Sequence, residues 1–192
     1  MRAAKPPCAV QSMYTATHTA DQGWARSGMG PYGPLSMDPA AQVLNYGQSI
    51  FEGMKAQRTA GGDIVLFRPR DNAARMRAGA ARMSMAAPPE DLFLEAVTAT
   101  ARANAKMVPP AGKGALYLRP LLLGTGPIVG LGPAPSFTFL CFGAAVGSYF
   151  KARRCLCSSV LRSLRTYVNE QVQGAQTTNA TRARACTCRA AS

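Results

Sequence analysis

Two glycines and two aromatic residues lie close together in the stretch LNYGQSIFEGMK, residues 44–55. Gly47 and Gly53 permit backbone conformations and close approaches that residues with a side chain resist. Tyr46 and Phe51 would place a hydroxyl and an aromatic ring above that backbone. This combination is typical of a ligand-binding turn, but a loop that leads into a strand with two core aromatics would have the same composition.

Two arginines could bind an anion. Arg75 lies early in a predicted helix that follows a predicted strand, where its planar guanidinium could hold a phosphate group. A solvated helical arginine is the alternative. Arg119 lies in the apolar stretch GALYLRPLLLG, and the two-residue period of a strand puts it on the same face as Tyr117. An unpaired guanidinium there is costly, so Arg119 requires either an internal carboxylate partner or a bound anion such as a substrate carboxylate.

Other motifs predict neither a metal site nor a nucleotide site. The single histidine, His18, has no second ligand at metal-binding spacing and is predicted to be a solvated loop residue. The Gly/Pro segment over residues 124–135 is not followed by a capped helix, so it does not match a P-loop or a dinucleotide fingerprint. Two Cys-x-Cys pairs, at residues 155–157 and 186–188, are more closely spaced than most structural zinc ligands. We therefore expect free thiols.

The apolar periodicity predicts alternating strands and helices around these residues. Residues 13–37 are rich in glycine and proline and are predicted to be an irregular extended segment. Two strands are expected over residues 54–59 and 63–68, joined by a turn at two glycines, and the second is expected to be buried. Two long strands are expected over residues 114–124 and 136–146.

Two amphipathic helices are expected between the hairpin and the long strands. The first begins at Pro69, with Asp71 and Asn72 as candidate caps, and repeats apolar residues at helical spacing. The second spans Glu90 to Met107, with acidic residues early and a lysine late, as the helix dipole favours. Its inner side is predicted to carry Leu92, Ala96, Val97 and Thr100.

The charge distribution argues against a nucleic acid partner, and the short apolar runs argue against a membrane-spanning helix. The 192-residue chain has a formal net charge of +13, of which +7 lies in residues 151–192. The basic residues of that segment are irregularly spaced and are not interleaved with the aromatics typical of RNA-binding modules. No apolar run reaches the roughly 20 residues that a membrane-spanning helix needs.

The two ends of the chain differ in character from its middle. Residues 1–12 are basic and lack acids, which fits a disordered extension or the remnant of an organellar transit peptide. Residues 152–192 lose both periodicities and are dominated by Thr, Ala, Gln and Arg, so we predict a disordered tail. The domain is therefore expected over residues 13–151.

Four motifs in this domain resemble, in order and spacing, the N-terminal domain of branched-chain amino acid aminotransferases, which are pyridoxal-phosphate-dependent class IV aminotransferases. The motifs are LNYGQSIFEG, IVLFRPRDNAARM, VPPAGKGALYLRPLLLGTG and APSFTFLCFGAAVGSYFK. The resemblance implies an α+β fold of the D-amino-acid aminotransferase type, an antiparallel sheet with flanking helices. It also implies that this domain forms one wall of a cofactor cleft in a homodimer, with residues 124–135 near the dimer interface.

The same resemblance implies roles for the candidate residues. Arg75 matches the arginine that holds the phosphate group of pyridoxal 5'-phosphate. Tyr46 and Phe51 match aromatics that line the substrate pocket, and Tyr117 with Arg119 matches a strand pair that faces the carboxylates of the amino acid or glutamate. The implied partners are branched-chain amino acids, 2-oxo acids and a second copy of the chain. The implied compartment is a chloroplast or mitochondrion, with the cytoplasm as the alternative.

One departure from the family bears on activity. The lysine that forms the Schiff base lies in the family's second domain, and none of the five lysines here has a similar context; they are Lys5, Lys55, Lys106, Lys113 and Lys151. Transamination needs that amine. We therefore expect a truncated family member that joins an unrelated tail and is inactive alone. The alternative is a non-catalytic binding protein whose basic tail engages acidic partners.

Overall fold

A computed structural model describes residues 10–147, which form an α+β domain. The strands are β1 Ser12–Thr19, β2 Gly23–Pro31, β3 Ser49–Phe51, β4 Met54–Arg58, β5 Ile64–Leu66, β6 Ala115–Gly124 and β7 Ser136–Val146. The helices are α1 Gln42–Tyr46, α2 Pro69–Arg82 and α3 Glu90–Ala103, with a 3-10 turn over Ala105–Met107. The predicted antiparallel sheet with flanking helices is confirmed. The predicted tail, both Cys-x-Cys pairs and residues 1–9 lie outside the described residues.

The sheet has the strand order β2-β1-β7-β6-β4-β5, and β3 pairs with β6 on the same side as β4. Along β6, Phe51 of β3 pairs with Leu121, and Met54 of β4 pairs with Leu118. Between them lies Pro120, which has no N–H to donate, while its carbonyl accepts a hydrogen bond from the Glu52 N–H at 2.8 Å. This interruption of the ladder separates β3 from β4 at residues 52–53, the β3–β4 junction, although the register with β6 is the same on both sides.

The two faces of β6 have different environments because side chains alternate along a strand. Leu116, Leu118 and Leu122 are fully buried in the core that helices α2 and α3 cover. In the same core, Phe93 of α3 stacks on Phe139 of β7 with ring centroids 5.9 Å apart. The other face of β6 carries Tyr117 and Arg119, both only half-buried. The predicted functional pair thus lies on the side of the sheet away from the helical layer.

The helices have the predicted positions but different ends. Helix α2 begins after Arg68, whose backbone is left-handed with φ of 46°, and no side chain caps it. The predicted caps are therefore wrong: Asp71 pairs with Arg68, and Asn72 bonds to Glu52. Helix α3 ends at Ala103, earlier than predicted, because the Asn104 side chain donates hydrogen bonds to the Ser12 and Thr100 carbonyls. Its predicted inner residues are all buried.

The first hairpin was not predicted from the sequence. Residues 12–31 form β1 and β2, because Tyr14 and Ala16 alternate into the core and β1 lies between β2 and β7. The glycines of β2 are tolerated because it is an edge strand. His18 is half-buried, not solvated, with its ring centroid 5.3 Å from that of Trp24 and 6.0 Å from that of Phe137.

The second hairpin was predicted in its place but not in its burial. Strands β4 and β5 pair antiparallel on either side of the glycine turn. Val65 and Phe67, predicted to be buried, are 46% and 80% exposed. The prediction failed because β5 is a short edge strand that ends before Phe67, so apolar residues here have no second strand to cover them.

The described residues contain neither a metal cluster nor a helix suited to span a membrane. No group of three or more metal-ligating side chains occurs within residues 10–147, and no helix in that range is long and apolar enough to cross a bilayer. Cys141 is a free thiol inside the core, and burial raises its pKa to about 12. It is therefore protonated at neutral pH, as expected for a packing residue.

Candidate functional site

The two glycines of the LNYGQSIFEGMK stretch have the two uses that the sequence predicts. Gly47 ends helix α1 in the left-handed conformation, with φ of 68°. Gly53 has no positive φ, but a Cβ there would overlap the hydroxyl of Tyr117 and lie 2.9 Å from its Cζ atom. Gly53 therefore lets the Tyr117 ring lie directly against the β3–β4 junction.

Arg119 is held by aromatic groups. Its Cζ atom lies 4.2 Å from the ring centroid of Phe51 and 5.3 Å from that of Tyr117, which is cation–π geometry. Its Nη2 donates a hydrogen bond to Tyr117 Oη at 3.2 Å. Among residues 10–147 no carboxylate pairs with Arg119, and its buried Nε has no hydrogen-bond partner. An internal salt bridge, one of the two predicted uses of this arginine, is thus not observed in the described domain.

Arg75 forms a two-point pair with Glu52. Its Nε donates to Glu52 Oε1 at 3.1 Å and its Nη2 donates to Oε2 at 2.8 Å. The Glu52 side chain is 10% exposed and that of Arg75 is 65% exposed, so the carboxylate is the buried partner. Burial alone would raise the pKa of Glu52, but hydrogen bonds from Arg75 and Asn72 hold it below its ordinary value. The same pair raises the pKa of Arg75.

A cavity of about 660 Å³ lies beside this pair, next to residues 53–57. Its polar lining consists of Arg75, Asn72, Lys55, Gln57 and Tyr117, and Gly53 also lines it. The apolar residues Val65, Leu66 and Phe67 complete the wall. The structure therefore brings Arg75 and Tyr117 onto one cavity and places Arg119 and Phe51 next to it.

Tyr46 lies elsewhere. It is 52% exposed and lines a second cavity of about 360 Å³. Gln42 and Gln48 also line that cavity, together with the glycine-rich loop near Leu131. Gln42 closes this loop by donating hydrogen bonds to the carbonyls of Gly130 and Gly132. Within one copy of the described domain, Tyr46 is thus not part of the cluster around Arg75 and Arg119.

Four polar residues of the site were not among the predicted ones: Glu52, Asn72, Lys55 and Gln57. The strand period could have found the first, because Glu52 and Phe51 must point to opposite faces and the face of Glu52 is the one that α2 covers. Lys55 follows from the same alternation, since it pairs with Tyr117 across the ladder and shares its face. Asn72 was assigned to a helix cap instead.

The cavity fits a phosphate group. Two cationic side chains, Arg75 and Lys55, line it, whereas Glu52 is not among its lining residues. Glu52 occupies one edge of the Arg75 fork, and within residues 10–147 no acceptor contacts Arg75 Nη1. A planar fork with a free edge at a cavity is well suited to bind phosphate oxygens.

Solved structures similar to this domain include branched-chain amino acid aminotransferases. A branched-chain amino acid aminotransferase from T.th. with pyridoxamine 5'-phosphate has a TM-score of 0.56 and 20% identity, over 78% of this chain and 44% of that chain. The same organism's enzyme complexed with N-(5'-phosphopyridoxyl)-L-glutamate has a TM-score of 0.54 and 22% identity, over 70% and 41% of the two chains. At this identity the likeness establishes the fold.

Sequence relatives are much closer. Branched-chain-amino-acid aminotransferases 2 and 5 of Arabidopsis thaliana, both chloroplastic, are 48% identical over 159 residues and 52% identical over 139 residues. Branched-chain amino acid aminotransferase 1 of Humulus lupulus, which is mitochondrial, is 51% identical over 140 residues. These matches cover 83%, 72% and 73% of this chain but 39%, 34% and 34% of the relatives. No protein-family model matches the chain.

The chain thus spans little more than a third of the length of these relatives, in about their N-terminal portion. Over that portion the resemblance drawn from the four motifs is confirmed: the chain is similar to the N-terminal portion of branched-chain aminotransferases.

Proposed function

We propose that the described domain is the phosphate-holding and substrate-facing half of a pyridoxal-phosphate-dependent branched-chain aminotransferase. The observation that carries this proposal is the placement of Arg75 and Tyr117 on one cavity, with Arg119 stacked beside it. The names of the sequence relatives and the cofactor compounds in the titles of the solved structures support it.

Each site residue has a role that follows from its contacts. Arg75 presents the free edge of its fork to the phosphate of the cofactor. Arg119, which has no carboxylate partner in the described domain, binds a substrate carboxylate, and Tyr117 orients it through their hydrogen bond. Phe51 covers the Arg119 guanidinium and shields it from water. Bound pyridoxal phosphate supplies the electron sink on which amino-group transfer depends.

The proposed reaction is amino transfer between Leu, Ile or Val and 2-oxoglutarate. The site described here supplies binding groups, and none of its lysines has the sequence context of the family's catalytic lysine. We therefore propose that the 192-residue chain alone does not catalyse the reaction. A chloroplast or a mitochondrion is the proposed compartment, because the relatives are named for those organelles.

A homodimer is part of the proposal. Val129 and Leu131 lie in the loop predicted to be near the interface and are 87% and 98% exposed. Leu44, two residues before Tyr46 in the sequence, is 60% exposed. Apolar side chains exposed to this degree are suited to burial against a second copy. The alternative function, a binding protein with a basic tail, depends on residues 152–192, and no observation on the described domain favours it.

A chimeric enzyme tests the proposed function. Residues 13–147 would replace the corresponding segment of the chloroplastic aminotransferase 2 of Arabidopsis thaliana, and leucine-dependent conversion of 2-oxoglutarate to glutamate would be measured. We expect turnover in the chimera, because its new N-terminal portion carries the complete set of binding groups, and none in the 192-residue chain alone.

The parent enzyme provides the positive control, and the Arg75→Ala chimera is expected to require much more added pyridoxal phosphate for the same rate. A chimera that folds and binds the cofactor but turns over no branched-chain amino acid would disprove the proposal. Turnover by the 192-residue chain alone would disprove its inactivity.

A further inference from the structure

We propose that Glu52 is a positioning residue that holds the Arg75 guanidinium in advance with its free edge toward the cavity. This inference rests on the proposed role of Arg75 as the phosphate-binding residue. A buried carboxylate beside an anion-binding site would by itself repel the anion. Positioning of Arg75 explains why Glu52 lies there.

The geometry of the pair fixes the plane of the fork. Two roughly parallel N–H···O bonds, from Nε at 3.1 Å and from Nη2 at 2.8 Å, join Arg75 to the two oxygens of Glu52. Such a two-point contact fixes the orientation of the guanidinium as well as its distance. The edge that remains carries the Nη1 donors, which contact no acceptor within the described range.

Besides Arg75, the Asn72 side chain and the Pro120 carbonyl hold Glu52. Asn72 Nδ2 donates to its Oε2 at 2.8 Å and to the Gly53 carbonyl at 3.3 Å. The backbone N–H of Glu52 donates to the Pro120 carbonyl at 2.8 Å, at the ladder interruption. A carboxylate fixed in this way can hold a long, mostly exposed side chain in one rotamer before any ligand arrives.

Other ion pairs of helix α2 lack these features. Arg68 pairs with Asp71 and Arg70 pairs with Glu90, but the acidic side chains are 49% and 41% exposed, against 10% for Glu52. Exposed pairs of that kind contribute little and constrain little. Among the described ion pairs of α2, the Arg75 pair alone combines a buried carboxylate with a two-point contact.

Two substitutions separate positioning from charge. Glu52→Asp keeps the negative charge but is one methylene shorter, so it cannot make the same two-point contact. Glu52→Gln keeps the length but removes the charge. If Glu52 only neutralised Arg75, the aspartate variant would bind anions like the wild type and the glutamine variant would bind them more tightly.

The first measurement is calorimetric titration of the full chain with pyridoxal 5'-phosphate. We expect Glu52→Asp to weaken binding roughly three- to tenfold, the effect of having to immobilise one long side chain on binding. Glu52→Gln is expected to bind no more tightly than the wild type. Glu90→Asp makes the matched change in an exposed ion pair of the same region and is expected to bind like the wild type. Wild-type affinity in Glu52→Asp, or tighter binding by Glu52→Gln, would overturn the inference.

The second measurement needs no ligand. In the wild type the Arg75 Nε–H resonance, assigned by its loss in Arg75→Lys, is expected to be observable and protected from exchange with water, and to be lost in Glu52→Asp. If the wild type fails to bind pyridoxal phosphate, the proposed function fails in this chain, and this resonance still decides the role of Glu52. A resonance that persists in Glu52→Asp would contradict positioning. Circular dichroism verifies that each variant is folded.

Discussion

Replacing Arg75 with alanine is expected to weaken binding of pyridoxal 5'-phosphate by roughly ten- to a hundredfold, because a hydrogen bond to a charged group contributes about 1.5–3 kcal/mol. The variant removes the free guanidinium edge from the cavity while the Gly53 and Tyr117 walls remain. Calorimetric titration of the 192-residue chain measures the change. Pyridoxal, which lacks the phosphate group, should bind to the wild type and to Arg75→Ala with much more similar affinities.

Arg77 provides the matched control for charge. It lies two residues further along α2, is exposed, and does not line the cavity. Arg77→Ala should therefore bind like the wild type, whereas Arg75→Lys, which keeps the charge but loses the planar fork, should lie between wild type and alanine. Equal losses in Arg75→Ala and Arg77→Ala would mean that the effect is one of net charge only.

The Arg75→Ala variant should also change how stability depends on pH. Hydrogen bonds from Arg75 and Asn72 outweigh burial and keep the folded-state pKa of Glu52 below its ordinary value. A carboxyl group with a lowered folded pKa stabilises the fold above its unfolded pKa, and this contribution is lost as the pH falls through the folded pKa. The stability difference between wild type and Arg75→Ala in urea should therefore be largest near neutral pH and shrink in acid.

Replacing Gly53 with alanine is the second large change. The added methyl would overlap the Tyr117 hydroxyl and crowd Cζ at 2.9 Å. Because the ring is the movable partner, we expect the fold to persist with a loss of about 1–3 kcal/mol, the usual cost of an overpacked site. The displaced ring should also lose its hydrogen bond from Arg119 and reduce affinity for the cofactor. Urea unfolding and the calorimetric titration measure the two effects.

Gly30→Ala is the matched control, since Gly30 lies in a strand, has no positive φ, and a Cβ there would meet no atom within 4 Å. That variant should be as stable as the wild type. Tyr117→Phe should restore part of the stability of Gly53→Ala, because it removes the overlapping oxygen but leaves the ring carbon in place. Wild-type stability and affinity in Gly53→Ala would show that the position of Tyr117 does not depend on the absence of a Cβ at residue 53.

Local periodicity in the sequence predicted the residues that share one element. The two-residue period of β6 placed Tyr117 and Arg119 on one face, and the helical period of α3 identified its buried residues. Gly47 and Gly53 were identified because few other residues can take their places. These features depend on short-range geometry, which a single sequence specifies directly.

Features that depend on pairing between distant residues were missed. The hairpin of β1 and β2 exists because β1 pairs with β7 some 120 residues away, and its glycine content hid it. The partner of Arg75 lies 23 residues earlier, between β3 and β4, and strand alternation gives the face of Glu52 but not the residue of α2 that it meets. The exposure of Val65 and Phe67 likewise follows from which strand ends the sheet.

The cavity beside the Arg75–Glu52 pair is proposed to hold the phosphate group of pyridoxal 5'-phosphate. The decisive experiment is a titration of the isotope-labelled 192-residue chain with this compound while backbone and arginine side-chain resonances are recorded. We expect saturable shifts at Gly53, Lys55, Asn72 and Tyr117 and at the Arg75 side chain, all abolished in Arg75→Ala. Shifts confined to the loop at residues 130–133, or shifts at the cavity that survive in Arg75→Ala, would contradict this proposal.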